Sequence, residues 1–193
     1  SMSRFFLFLP WVYLFLVPAV GMRLWAEERR SGTWELLFTF PIRVTEAVLG
    51  KFLAAWAFLT LALLLTFTLP LTISYLGDPD WNVIFTSYFG AILMAGAYLG
   101  ICSLASALTR SQVISFVISV VVCMVMVFLG WSVFNSLMES LFLPQALVDA
   151  IANASFIPHF EPMTLGLIRL QDVGFFLAVI VVTLSLNVLV LKR

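Results

Sequence analysis

Charge is scarce in this chain: 10% of its 193 residues are Asp, Glu, Lys or Arg, and the formal net charge is zero. A soluble domain carries roughly a quarter. With no excess of either sign there is no basic stripe to neutralise a phosphate backbone, so nucleic acid is excluded as a partner. Cysteine occurs twice and histidine once. Cys102 and Cys123 lie inside apolar runs, too few for a disulfide framework or a zinc site, and are read as small packing residues. His159, in Ile157-Pro158-His159-Phe160-Glu161-Pro162, is given a structural role, because a metal needs more ligands and catalysis needs a nucleophile nearby. Gly-x-Ser-x-Gly, His-Glu-x-x-His and phosphate-cradling Gly-rich loops are all missing. The chain reads as no enzyme, with no catalytic residue, no metal ligand and no nucleotide of its own.

What is abundant is apolar sequence. Hydrophobic residues make up 63% of the chain and the mean hydropathy is +1.12, which marks an all-α integral membrane protein. Five runs approach the ~20 residues a membrane helix needs: 5–22, 52–76, 83–108, 113–134 and 173–191. The first contains Pro10 and Pro18 and lacks the cleavage site of a signal sequence. The spans hold no ionisable group at mid-depth, which argues against an ion-coupled carrier and against a small ion as cargo. Lys and Arg set the orientation. Placing the loop 23–51, the 109–112 turn and the C-terminus in the cytoplasm puts eight of the ten Lys and Arg inside, leaving Arg4 and Arg169 outside. Ser1 is then extracytoplasmic, and one more helix is expected before it.

The stretch Met22 to Pro41 concentrates charge between apolar runs. Met22, Trp25, Ala26, Thr33, Leu36, Leu37 and Phe40 recur at helical steps, with Gly32 as the break and Glu35 placed to start a second helical piece. It reads either as a solvated loop or as a docking helix for a soluble partner; Trp25, Trp34 and Phe40 favour docking. Gly96, Gly100 and Ser103 form a small-residue stripe, either for packing within one subunit or for a dimer interface. The segment 135–172, punctuated by Pro144, Pro158 and Pro162, reads as short outer interfacial helices whose apolar side chains rest in the headgroup layer.

From Met22-Arg23-Leu24-Trp25-Ala26-Glu27-Glu28-Arg29-Arg30-Ser31-Gly32-Thr33 to Glu35-Leu36-Leu37 and Pro41, the sequence resembles the type-2 ABC transporter permeases, closest to their gliding-motility-type branch. Supporting matches are Leu9-Pro10-Trp11, Val17-Pro18-Ala19, Gly50-Lys51-Phe52, Gly77-Asp78-Pro79-Asp80 and Ala105-Ser106-Ala107-Leu108-Thr109-Arg110. The resemblance implies six membrane helices, the first of them absent here, and a cytoplasmic coupling helix within 23–41. Its contacts to the ATPase subunit would be Arg23, Trp25, Glu27, Glu28, Arg29, Arg30, Gly32, Thr33, Trp34, Glu35 and Leu37. ATP and Mg would be held by that partner, a cytoplasmic ABC ATPase dimer, and none by this chain. A second permease copy or paralogue, the lipid bilayer and a periplasmic accessory protein at 135–172 complete the implied partners, in a bacterial inner membrane. A force-transmitting membrane anchor that transports nothing is the other reading. Phe89, Phe116 and Phe128 would seal the interface in that case.

Overall fold

Small residues recur through 81–108: Gly90, Ala91, Ala95, Gly96, Ala97, Gly100, Ser103, Ala105, Ser106 and Ala107 are all buried. Their small side chains let neighbouring backbones approach closely on every side, which makes this segment the centre of the bundle. The computed structural model describes residues 2–33, 42–140 and 144–192, with backbone alone for 2, 3, 135 and 137–139. Every regular element among them is helical: α1 (Met2–Gly21), α2 (Ala26–Ser31), α3 (Val44–Leu65), α4 (Thr68–Leu76), α5 (Trp81–Leu108), α6 (Gln112–Phe128), α7 (Ser132–Ser140), α8 (Gln145–Asn153), α9 (Ile157–Thr164) and α10 (Leu170–Leu191). The central helix is α5, packed against α1, α3, α6, α9 and α10. Asp80 caps it, accepting the N–H groups of Asn82 at 3.1 Å and Val83 at 3.4 Å.

Four segments, Arg4–Ser31, Val44–Leu76, Trp81–Leu108 and Leu170–Leu191, are long and apolar enough to cross a bilayer, and Gln112–Phe128 is a shorter apolar helix. The architecture is therefore the all-helical one expected of a membrane protein, with differences in the details. The second run begins at Val44, because Glu46 accepts the Arg43 N–H at 3.2 Å and starts the helix early. It also breaks after Leu65. Pro70 has no N–H to offer the Thr66 carbonyl, which instead accepts from Leu69 at 3.0 Å, while the Thr66 hydroxyl bonds Leu63 O at 2.6 Å and Tyr88 OH at 2.9 Å.

The fourth run stops at Phe128, short of the expected 134. The Met126 carbonyl is taken by Ser155 Oγ at 2.5 Å and by the Phe156 N–H at 3.4 Å, and Gly130 lies so close to Ser155 and Pro158 that a side chain there would collide. In the outer segment Phe156, Phe160 and Met163 are no more than 2% exposed, so α9 packs onto the bundle through these side chains. Thr86 Oγ1 donates to Met163 O at 2.9 Å, and Gly90 leaves room for Met163 and Phe160. Helix α7 touches α8, and α8 carries the exposed Leu147 beside the buried Val148.

Candidate functional site

Helix α2 is six residues long and four of them are charged: Glu27 and Glu28 in its first turn, Arg29 and Arg30 in its last. That order complements the helix dipole, yet a helix this short does not hold by itself in water. Its support comes from two other helices. At the N-terminus Trp25 supplies no capping side chain. The cap is Ser106 of α5, whose hydroxyl oxygen accepts the N–H groups of Trp25 at 3.0 Å and Ala26 at 2.9 Å and donates to Met22 O at 3.0 Å. One hydroxyl thereby fills both its donor and its acceptor capacity on the entry to α2.

Lys51 of α3 is the second support. Its ammonium donates to Leu24 O at 2.8 Å, pairs with Glu28 and stands 4.2 Å above the ring of Trp25. Trp25 itself is fully buried beneath it. At the other end Gly32 takes φ 72°, the left-handed conformation that closes a helix, and a Cβ there would meet nothing within 4 Å. Ser31 Oγ returns to Glu27 O at 3.0 Å and meets Thr33 Oγ1 at 2.8 Å.

The clamped helix leaves one side bare. Glu27, Arg30, Gly32 and Thr33 are exposed, and Arg29 is half-buried. Arg23 is exposed at the mouth of a shallow cavity of about 290 Å³ that Leu24, Glu28, Lys51, Ala54 and Ala55 also line. Trp25 and Glu28 are turned inward to this chain's own α3 and α5, so they stiffen the element and offer a partner little surface. Trp34, Glu35 and Leu37 lie outside the described residues. Ser106 and Lys51 were missed as site residues. Both stand in stretches that carried the resemblance, Gly50-Lys51-Phe52 and Ala105-Ser106-Ala107, but neither spacing says that position 106 meets position 25.

The stripe on α5 faces α3 and α10 of the same chain. A Cβ on Gly96 would lie 2.9 Å from Ile180 Cδ1 and 3.1 Å from the Trp56 ring, one on Gly100 would collide with Thr183, and Ser103 Oγ accepts from Asn187 Nδ2 at 2.6 Å. Phe89 is 42% exposed, whereas Phe128 meets Trp11 edge-to-face and lies tilted against Trp131. Among the described residues no group of three or more His, Cys, Asp or Glu side chains could hold a metal.

A charged helix is thus fastened across the ends of two long apolar helices. The chain belongs to the ABC-2 transporter family: the family described as "ABC-2 family transporter protein" matches residues 5–193. No curated protein matches it.

Proposed function

We propose that this chain is the permease subunit of an ATP-driven transporter in a bacterial inner membrane, of the gliding-motility-type branch, with its C-terminus cytoplasmic. In this reading α2 is the coupling helix. A cytoplasmic ABC ATPase dimer binds ATP and Mg, closes, and pushes on Glu27, Arg29, Arg30 and the residues around Gly32. The push passes through Ser106 into α5 and through Lys51 into α3, and the bundle rocks against a second permease copy or paralogue. The observation that carries the reading is the double clamp: α2 cannot move without taking the ends of two spans with it. A force-transmitting anchor without cargo would use the same clamp, and the packing of Gly96, Gly100 and Ser103 inside one chain leaves either use open.

The test is a pull-down in mild detergent, assaying for a co-purifying ATPase. Wild type and Lys51→Met should both retain the ATPase, because the exposed face is intact; a Glu27→Lys/Arg30→Glu reversal should lose it. Retention by the reversal variant, or absence of any ATPase with wild type, sinks the coupling assignment.

A further inference from the structure

Beside the clamp lies the cavity of about 290 Å³ lined by Arg23, Leu24, Glu28, Lys51, Ala54 and Ala55. That is the space of roughly ten liquid waters at ~30 Å³ each, enough for a phosphodiester group. Sequence fixes its depth. Arg23 follows the apolar run 5–22 and Lys51 precedes the run 52–76, so the cavity lies where two spans leave lipid for water. Two cations, Arg23 and Lys51, face one carboxylate, Glu28, which leaves the lining with a net positive charge. Glu28 is already paired with Lys51. Arg23 is exposed and has no hydrogen bond or ion pair among the described residues.

The cavity sits at the end of an apolar strip. Lys51, Ala54, Phe58, Leu61 and Leu65 follow at steps of three and four, so they share one face of α3. Beyond Ala54 that face is bare: Phe58 is 60% exposed, Leu61 59% and Leu65 71%. Lys51 to Leu65 is about 21 Å along the axis at ~1.5 Å per residue, against ~15 Å for half the hydrocarbon core. The strip therefore runs the depth of one leaflet.

We infer that the cavity binds the headgroup of an anionic phospholipid from the leaflet on the α2 side, with an acyl chain along Phe58, Leu61 and Leu65. Arg23 holds the phosphate, because its planar fork matches two phosphate oxygens, and Lys51 faces it from α3. Basic pockets between spans at this depth suit such headgroups. A zwitterionic lipid brings its own cation to a lining that is already positive, and a free phosphate leaves the strip on α3 unused. The bound lipid joins the entry of α2 to α3 where Lys51 fastens them. Only the spans and the cavity are needed, so the site forms without an ATPase.

The test is a lipid titration of the whole chain, purified in mild detergent and stripped of co-purified lipid, read as Tm. Phosphatidylglycerol at about ten times its Kd should raise Tm by about 3–6 °C. Phosphatidylcholine with the same chains, and inorganic phosphate, should each give less than half that gain. Arg23→Gln should raise the phosphatidylglycerol concentration for half the gain at least tenfold, the loss of one charged hydrogen bond. Ala54→Phe, which fills the floor and leaves the charges alone, should raise it too. Arg43→Gln removes an exposed cation at the start of α3, outside the cavity, and should titrate as wild type. An unchanged midpoint in Arg23→Gln overturns the inference, as does an Arg43→Gln midpoint shifted as far as that of Arg23→Gln. So does an equal gain from phosphatidylcholine or from inorganic phosphate, or no gain from any of the three, the result expected if a second copy of the chain covers this face.

Discussion

The Ser106 hydroxyl oxygen lies 3.0 Å from the Trp25 amide nitrogen, 81 positions away in sequence. A cap usually comes from the residue that precedes its helix; here a membrane span supplies it. The geometry ties the most buried helix of the bundle to the charged element at its end, and the consequences are measurable.

Replacing Ser106 with Ala removes three hydrogen bonds and leaves the Trp25 and Ala26 amides without their acceptor. Losing a cap costs about 1 kcal/mol, and leaving buried donors unpaired adds ~1–3 kcal/mol. Amide exchange across 25–31 should therefore accelerate at least about fivefold. Ser106→Thr, which keeps the hydroxyl, should sit between Ala and wild type. Equal exchange in Ala and wild type would remove Ser106 from the pathway.

Lys51→Met gives up the Glu28 pair, the Leu24 carbonyl and the Trp25 ring together. The Lys51 and Glu28 side chains are 25% and 29% exposed, so the pair itself is worth under about 1 kcal/mol and the ring contact a similar amount. A double-mutant cycle with Glu28→Gln measured by thermal unfolding should return a coupling of about 0.5–1 kcal/mol that shrinks in high salt. Zero coupling would mean that Lys51 acts through Leu24 and Trp25 alone.

Gly32 adopts φ 72° with open space around it, so the cost of a side chain there is backbone strain rather than collision. Gly32→Val should lower ATPase stimulation in the reconstituted transporter while insertion is unchanged, and Gly32→Asn, which tolerates the left-handed region, should be milder. Equal activity of Val and Asn variants would show that the bend is unimportant.

Gly100→Ala should destabilise by about 1–3 kcal/mol through overpacking against Thr183. Thr183→Ala in the same chain removes the hydroxyl it would strike and should recover part of the loss, read as the melting temperature of the solubilised protein. No recovery would place the clash elsewhere on α10.

The apolar runs by themselves determined where the membrane helices are, because ~20 residues without charge have no stable place in water. Gly32 was legible as a break for an equally local reason: only a residue without Cβ enters the left-handed region freely. Other features had weaker local signals. Pro70 sits inside a run that reads as one span, and the helix breaks before it, where the Leu69 N–H takes up the freed Thr66 carbonyl and the Thr66 hydroxyl bonds Leu63 O and Tyr88 OH. The end of α6 at Phe128 depends on Ser155 reaching Met126, and the burial of α9 depends on Gly90 leaving space for Met163. Trp25 reads as an exposed anchor until the fold lays Lys51 over it. Composition and periodicity thus decided what lies in lipid and which stretch lies in water. Which hydroxyl caps which helix, and which lysine covers which ring, only the tertiary structure decided, because those contacts join residues that have no neighbourhood in the chain.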